Sequence, residues 1–412
     1  MSAIMIVIDG IADRPIKKLG GKTVLEVANI PNLHRIAKNG ILGIFDPLNA
    51  PGLRSGSDTA HLSILGYNPY KVYTGRGPIE AAGTGIKLEK GDVSLRCNYC
   101  TVNGNFVLLN RTADFIREGI DELEKTLNEK ITLSDSDVQY TFKNAVDYRC
   151  VLHFRGSGLS ANITDTDPWK EGAKVLESYS IDGKPESIKT SELVNKFVQR
   201  SYEVLNNHPI NENRRKNGKS PANLIMPRGA GETPTIEKFY DKWKLKGACI
   251  AGISLIKGLA VLMGMDIIEV PGATGYIDSD FLAKGKKAIE NLPNYDFILV
   301  HIEGTDEVAH DHMLKKEIET LEQIDIMIGW VFDHLPEDAF LIVLSDHTTS
   351  TVLGKHTADP PPLMITGPNV FKDDVQLFTE REARKGMLHR IKANDIIPIL
   401  LDYMDKTKKF GA

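Results

Sequence analysis

Cysteine is scarce, with only Cys97, Cys100, Cys150 and Cys249 in 412 residues, too few for a disulfide framework in a chain of this length. No apolar run approaches the 18 or so residues that cross a bilayer, and the N-terminus has no basic segment leading into a signal-length apolar core. Neither sign of charge dominates. Fifty Lys and Arg face 55 Asp and Glu, a formal charge of -5, so no strong electrostatic term draws the chain to nucleic acid or to an anionic membrane. Low-complexity tracts and repeats of solenoid period are missing as well. These absences exclude a disulfide-stapled secreted module and a membrane-spanning protein. They leave a cytoplasmic protein that acts on small molecules, with no call for nucleic acid or membrane as partners; a homo-oligomer is compatible with the composition.

What is present is an ordinary globular composition, 42% hydrophobic and 25% charged, long enough for two to three domains at roughly 150 residues each. Ala3 to Ile8 is a continuous apolar run ending at Asp9 and Gly10, as expected of a strand covered on both faces. Phe297 to Val300 leads in the same way into His301, and Phe340 to Leu344 into Ser345, Asp346 and His347. Between the last two, Ile318, Leu321, Ile324, Ile328, Val331 and Leu335 recur at three- and four-residue steps until Pro336 stops them, which predicts an amphipathic helix. Cys249 to Ile253, Leu255 to Met263 and Ile267 to Val270 repeat the strand, helix, strand order. The pattern predicts an α/β fold with a doubly wound, mostly parallel sheet.

From about Gly85 to Lys246 the pattern changes, with charged helices expected near Ala113 to Leu127 and Glu192 to Asn206 and strand-like alternation between them. Residues 208 to 234 show no convincing periodicity and read as a long connection. This stretch is a smaller inserted α+β domain, 86–246, within a discontinuous core of 1–85 and 247–412. Cys97-Asn-Tyr-Cys100 has a zinc-like spacing but no second ligand pair, and Val93, Leu95, Cys97 and Tyr99 alternate as on a strand.

Ligands in open α/β sheets bind beyond the carboxyl ends of strands, so Asp9, Asp346 and His347 should converge on one crevice. Asp306 and His310, four residues apart just past another strand, share a helical face and can grip one cation. His356 adds an imidazole on a segment that the following Pro360-Pro361-Pro362 keeps extended. Six mixed oxygen and nitrogen donors exceed what one tetrahedral ion needs and match two neighbouring ions of the Zn or Mn type. Gly56-Ser57-Asp58-Thr59-Ala60-His61 adds a nucleophile at a helix start, with Ser57 expected as the N-cap. A hydroxyl there, near a cation, can lose its proton at neutral pH. Ser55, Thr59 and Ser63 are alternatives, and His61 could face a phosphate or simply pack.

Asp9-Gly10, Ser57-Asp-Thr-Ala-His61, Asp306-Glu-Val-Ala-His310, Asp346-His347 and His356-Thr-Ala-Asp-Pro resemble the alkaline phosphatase superfamily, and more narrowly the archaeal-type cofactor-independent phosphoglycerate mutases. The resemblance covers essentially the whole chain, including Gly75-Arg-Gly-Pro78, Asp165-Thr-Asp167-Pro168, Pro221-Ala-Asn223, Arg228-Gly-Ala-Gly and Pro271-Gly-Ala-Thr-Gly275. It implies an alkaline-phosphatase-type sheet and Ser57 as the residue transiently phosphorylated. It also implies Asp9, Ser57, Asp346 and His347 around one divalent ion, and Asp306, His310 and His356 around the other. The ions would be Mn, Zn or Co, with no 2,3-bisphosphoglycerate required. The classical bacterial form has a longer insert and reads Asn-Ser-Glu-Val-Gly-His around its nucleophile, so substrate residues transfer less directly than metal ligands. A phosphoglycerate carries a phosphate and a carboxylate that suit the guanidinium fork, which makes Arg149, Arg155, Arg214 and Arg228 candidates. Asp165 or Asp167 could shuttle the proton between hydroxyls, and Lys257 could approach the phosphate. The expected activity is interconversion of 3-phosphoglycerate and 2-phosphoglycerate with the insert as a lid. The alternatives on the same core are a phosphomonoesterase, a phosphopentomutase or a homoserine-kinase-like enzyme.

Overall fold

The computed structural model describes residues 1–133, 137–409 and 411. Two compact units form, one from Met1–Val72 with Glu237–Ala412 and the other from Tyr73–Ile236.

The first unit is built on an eight-stranded sheet. Its order is His389–Lys392, Gly40–Asp46, Pro362–Thr366, Ala339–Leu344, Ser2–Ile8, Phe297–Ile302, Gly247–Ile250 and Asp266–Ile267. Only Pro362–Thr366 runs antiparallel to its neighbours; every other pairing is parallel. The central strands are apolar throughout because both faces are covered. Ile4, Ile6 and Ile8 pack with Leu321, Ile324 and Ile328 of the long helix Leu314–Asp333. The alternate residues Ala3, Met5 and Val7 are equally buried. On that second face Phe340 meets Tyr403 of the helix Ile396–Tyr403, and Phe297 meets Phe239 at 5.2 Å between ring centroids.

Parallel register decides where the chemistry can gather. Ile8 pairs with Ile302 and Val7 with Leu344, so the residues that follow these three strands emerge side by side at one sheet edge. The helix carrying Asp306 and His310 spans Thr305–His310, and His356 lies on the short strand Lys355–Thr357.

The second unit holds a five-stranded antiparallel sheet. Its central strand Val93–Val102 pairs with Arg149–Arg155, Leu224–Glu232 and, at its end, Leu108–Asn110; Gln139–Asn144 completes the edge. Cys97 and Cys100 sit buried within that central strand, as the alternation anticipates. The helices Ile120–Lys130 and Pro185–Leu205 lie somewhat displaced from the expected spans.

Two expectations change. Residues 208 to 234 are not a connection but contain a helix, Pro209–Lys216, and the strand Leu224–Glu232. The helix buries only Asn211 and Arg214, and the strand is interrupted by Pro227, Gly229 and Gly231, so neither has an apolar period. The unit boundaries also shift, from 85/86 and 246/247 to 72/73 and 236/237. The helix Arg76–Gly83 packs on the second unit's sheet so closely that a Cβ on Gly77 would lie 2.0 Å from the Ser94 carbonyl oxygen. Phe239, in turn, packs on Phe297 of the first unit.

That contact gives a direct test. Gly77→Ala must push the helix off the strand, and the expected cost is about 1–3 kcal/mol of stability, read as a lower denaturation midpoint in urea. An unchanged midpoint would show that the helix is free to move.

Candidate active site

Asp9, Asp346 and His347 are buried and offer donor atoms within 4.8 Å of one another, as do Asp306, His347 and His356. His347 Nε2 lies 3.2 Å from Asp9 Oδ1, 3.5 Å from Asp346 Oδ2 and 3.2 Å from Ser57 Oγ. Asp306 lies 3.5 Å from His310 Nε2 through one oxygen and 3.5 Å from His356 Nε2 through the other. The His347 and His356 rings stack at 3.8 Å, which makes the two groups contiguous. Ser57 begins the helix Ser57–Ile64, but the N-cap is Gly56, with extended dihedrals, and not Ser57. Thr59 Oγ1 takes the Gly56 N–H instead. The Ser57 hydroxyl is therefore not tied up in capping and turns to His347.

The orientation of the imidazoles follows from their outer partners. His310 Nδ1 meets the Gly354 carbonyl at 2.8 Å and His356 Nδ1 the Ser55 carbonyl at 2.7 Å. A carbonyl only accepts, so each Nδ1 carries the proton and each Nε2 presents a lone pair to Asp306. Nitrogens and carboxylate oxygens thus gather at 3.5 Å around Asp306, and Asp9 Oδ1 and Asp346 Oδ2 are buried with no hydrogen-bond partner. Burial and the adjacent Asp9 push the Asp346 carboxyl up to about 7. Crowded imidazole nitrogens and carboxylate oxygens of this kind fit divalent cations of the Zn or Mn class.

Two histidines carry more of the site than their sequence context suggests. His61 is fully buried, bonds the Ser57 carbonyl through Nδ1 at 2.7 Å, and is driven by burial down to about 3, so its ring is neutral. His301 faces Glu303 Oε1 at 2.9 Å with Nδ1 and Asp9 Oδ2 at 3.3 Å with Nε2. Against the lowering effect of burial, Glu303 and Asp9 raise this imidazole to about 10, so it is a cation paired with both, and His61, His301 and Asp346, though close together, do not form a third cation site. Glu303 also takes the Gly252 N–H at 2.9 Å and the ammonium of Lys284 at 2.6 Å, and Lys284 is itself fully buried. The signal for this lysine was available. Phe281, Lys284, Gly285 and Ala288 occupy the i, i+3, i+4, i+7 face that is buried.

In the second unit Arg228 and Arg111 both reach Asp167, the former at 3.6 Å, and both guanidiniums lie over Trp169, at 4.7 and 4.5 Å. Arg76 and Arg96 share Glu80 at 3.2 and 3.8 Å. Burial, then the neighbouring Arg111, bring Arg228 down to about 10; burial and the charges of Arg76, Arg228 and Arg149 hold Arg96 well below its ordinary value. Four arginines on two buried carboxylates, with the Arg149 charge acting on Arg96, leave a surplus of positive charge suited to an anion. Arg76, Arg96 and Arg111 were not singled out from the sequence, although Arg76 lies in Gly75-Arg-Gly-Pro78. Arg155 and Arg214 stand apart. Arg155 forks onto Asp92, and Arg214 holds the Ser220 and Ala113 carbonyls at 2.8 and 2.7 Å. Lys257, in the first unit, pairs with Glu269 at 2.6 Å. Asp165 accepts the Gly229 N–H through Oδ1.

The buried Lys284 and Glu303 pair generates a prediction. Burial alone would raise the Glu303 carboxyl, yet Lys284 and His301 hold it at about 2 against an ordinary 4.5. A depressed carboxyl contributes stability that is full above pH 4.5 and is lost as pH falls towards 2, an amount on the order of 3 kcal/mol. Lys284→Met leaves Glu303 without its main partner, so we expect a loss of about 3–5 kcal/mol at neutral pH and acid unfolding at higher pH. A variant with the wild-type acid midpoint would contradict this.

The comparisons with known proteins bear on the whole chain. Residues 37–211 match the family model described as 2,3-bisphosphoglycerate-independent phosphoglycerate mutase, and residues 182–364 the model described as type I phosphodiesterase / nucleotide pyrophosphatase. The 2,3-bisphosphoglycerate-independent phosphoglycerate mutase 1 of Methanothermobacter thermautotrophicus is 47% identical over 414 residues, covering 100% of both chains. Its namesake from Methanocaldococcus jannaschii is 48% identical over 99% of this chain and 98% of its own. Among solved structures, a Pyrococcus horikoshii protein superposes with a TM-score of 0.84 at 39% identity, covering 100% of this chain and 99% of that one. The cofactor-independent phosphoglycerate mutase of Thermoplasma acidophilum gives 0.66 at 31%, covering 98% and 100%. With likeness of this extent running from end to end, the chain belongs to the 2,3-bisphosphoglycerate-independent phosphoglycerate mutase family.

Proposed function

We propose that this enzyme is an isomerase that interconverts 3-phosphoglycerate and 2-phosphoglycerate through a phosphoserine on Ser57. The observation that carries the reading is the Ser57 hydroxyl, which opens a helix and lies 3.2 Å from His347 Nε2, beside the unpartnered oxygens of Asp9 and Asp346. In this reading Asp9, Ser57, Asp346 and His347 hold one divalent ion, and Asp306, His310 and His356 the other. Once bound, such ions lower the pKa of a serine hydroxyl and neutralise the oxygens of a transferring phosphoryl group. Mn, Zn or Co suit donors that mix imidazole with carboxylate better than Mg does.

The protein's own residues then account for the steps. Ser57 Oγ attacks phosphorus, the bond from phosphorus to the glycerate oxygen breaks, and that oxygen takes up a proton. The glycerate turns, its other hydroxyl attacks the phosphoserine, and Ser57 is released. Arg228, Arg111, Arg96, Arg76 and Arg149 bind the glycerate carboxylate and retain the molecule between the two displacements. Asp165 serves as proton shuttle in preference to Asp167, because Asp167 is paired with Arg111 and Arg228 whereas Asp165 commits only Oδ1. The inserted unit acts as the lid that keeps water from the phosphoserine. A central metabolic reaction of this kind places the enzyme in the cytoplasm.

The deciding experiment is an assay of metal-loaded protein with 3-phosphoglycerate, coupled through enolase. Ser57→Ala should abolish turnover at a stability cost of about 1 kcal/mol, with metal content largely retained because Asp9, Asp346 and His347 remain as donors; full activity in that variant would reassign the nucleophile. Chelation should abolish activity, with Mn, Zn or Co restoring it and Mg serving poorly. In a mixture of doubly labelled and unlabelled 3-phosphoglycerate, doubly labelled molecules should stay doubly labelled. Scrambling of phosphate between molecules, or release of inorganic phosphate, would point to an intermolecular phosphotransferase or a phosphatase on the same core.

A further inference from the structure

One buried hydroxyl touches both cation groups. Thr349 Oγ1 lies 2.6 Å from Asp306 Oδ1 and 3.1 Å from His347 Nδ1, and the residue is fully buried. The direction of these bonds is fixed by counting protons. A hydroxyl has one proton, and a carboxylate can only accept, so the Thr349 proton goes to Asp306. The remaining contact then requires His347 to donate from Nδ1, which makes Nε2, facing Asp9 and Asp346, the nitrogen that would meet a cation.

The backbone holds this hydroxyl where it is. The Thr349 N–H bonds the Ala12 carbonyl at 2.9 Å. Gly10, at φ +63°, lies against it so closely that a Cβ would stand 2.5 Å from Asp306 Oδ1 and 2.6 Å from Thr349 Oγ1. The glycine after the first strand is therefore required by the hydroxyl and carboxylate packed on it, as well as by its left-handed backbone.

We propose that Thr349 is a positioning residue for both cation sites: its single hydroxyl fixes the His347 tautomer and aligns Asp306 together, so the two ions bind cooperatively. The proposal rests on the two-ion reading above and deepens it. An ion at Asp306 draws that carboxylate into place, tightens its bond from Thr349, and so holds His347 in the tautomer that the other ion needs; the coupling runs equally in reverse.

The test uses the full-length apoprotein titrated calorimetrically with Mn(II) alone, without phosphoglycerate. The wild type should bind two ions with a Hill coefficient above 1. Thr349→Val, which keeps the shape and removes the hydroxyl, should still bind two ions, with affinity weakened about 10- to 100-fold and the cooperativity gone. Thr349→Ser should restore both. If circular dichroism shows that the valine variant has not folded, Thr349→Ala against Thr349→Ser gives the same comparison. Non-cooperative binding by the wild type, unchanged binding by the valine variant, or a serine variant as weak as valine would each overturn the proposal. A wild type that binds Mn(II) cooperatively but fails to turn over 3-phosphoglycerate would defeat the mutase reading alone.

Discussion

Everything at the site depends on one electrostatic constraint: carboxylates and imidazoles are crowded within a few ångströms of one another, most of them buried. Asp9, Asp346 and His347 lie at the ends of strands whose register is set by an apolar, doubly covered sheet. The sheet cannot relax to separate them, because moving one strand end would break the parallel ladder and the packing on both faces. The crowding of the Asp9 and Asp346 carboxylates is thus imposed by hydrophobic burial, and His301 and His347, both raised against burial to about 10 by the carboxylates around them, offset part of it. Metal binding and proton release are coupled in such a site, since an Asp346 carboxyl raised to about 7 must be ionised to serve as a ligand.

Around this reactive centre the protein has arranged neutrality. Lys284, Glu303, His301 and Asp9 form a chain of alternating charges, each within 3.3 Å of the next and all buried. Each charge is compensated by its neighbours, which is the condition under which buried ions are tolerated. The chain ends on Asp9 Oδ2 and leaves Oδ1 without a hydrogen-bond partner. One oxygen of the ligand is thereby assigned to the scaffold and the other to the cation. Thr349 applies the same logic to Asp306 Oδ1 and His347, at the opposite side of the donor cluster.

How much of this was legible beforehand depended on the kind of signal. The strands were visible because parallel burial writes uninterrupted apolar runs, as in Ala3 to Ile8, and the polar residues that end them named Asp9, Asp346 and His347. Asp306 and His310 were visible because their four-residue spacing is helical. The helix Pro209–Lys216 was not, since it buries a polar residue and an arginine instead of an apolar stripe. Lys284 was overlooked because a lysine on a helix is ordinarily solvated, and only its place on an otherwise buried face marked it. Arg155 and Arg214 looked equal to Arg228 in sequence. Three-dimensional pairing separates them: Asp92 satisfies the first and backbone carbonyls the second.

The two units concentrate opposite kinds of charge. The first concentrates negative charge and lone pairs, which suits cations and, through them, a phosphoryl group. The second gathers Arg76, Arg96, Arg111 and Arg228 on Glu80 and Asp167, which suits an anion such as a carboxylate. Neither half alone distinguishes a mutase from a phosphatase, because phosphate chemistry needs only the first. Isomerisation adds the demand that the dephosphorylated glycerate be kept for a second displacement, a task for which the proposed arginine cluster is chemically suited. Trp169, with Arg111 and Arg228 both over its ring, keeps those guanidiniums in a fixed orientation when no anion is bound. A preorganised fork of this kind loses little entropy when it captures an anion.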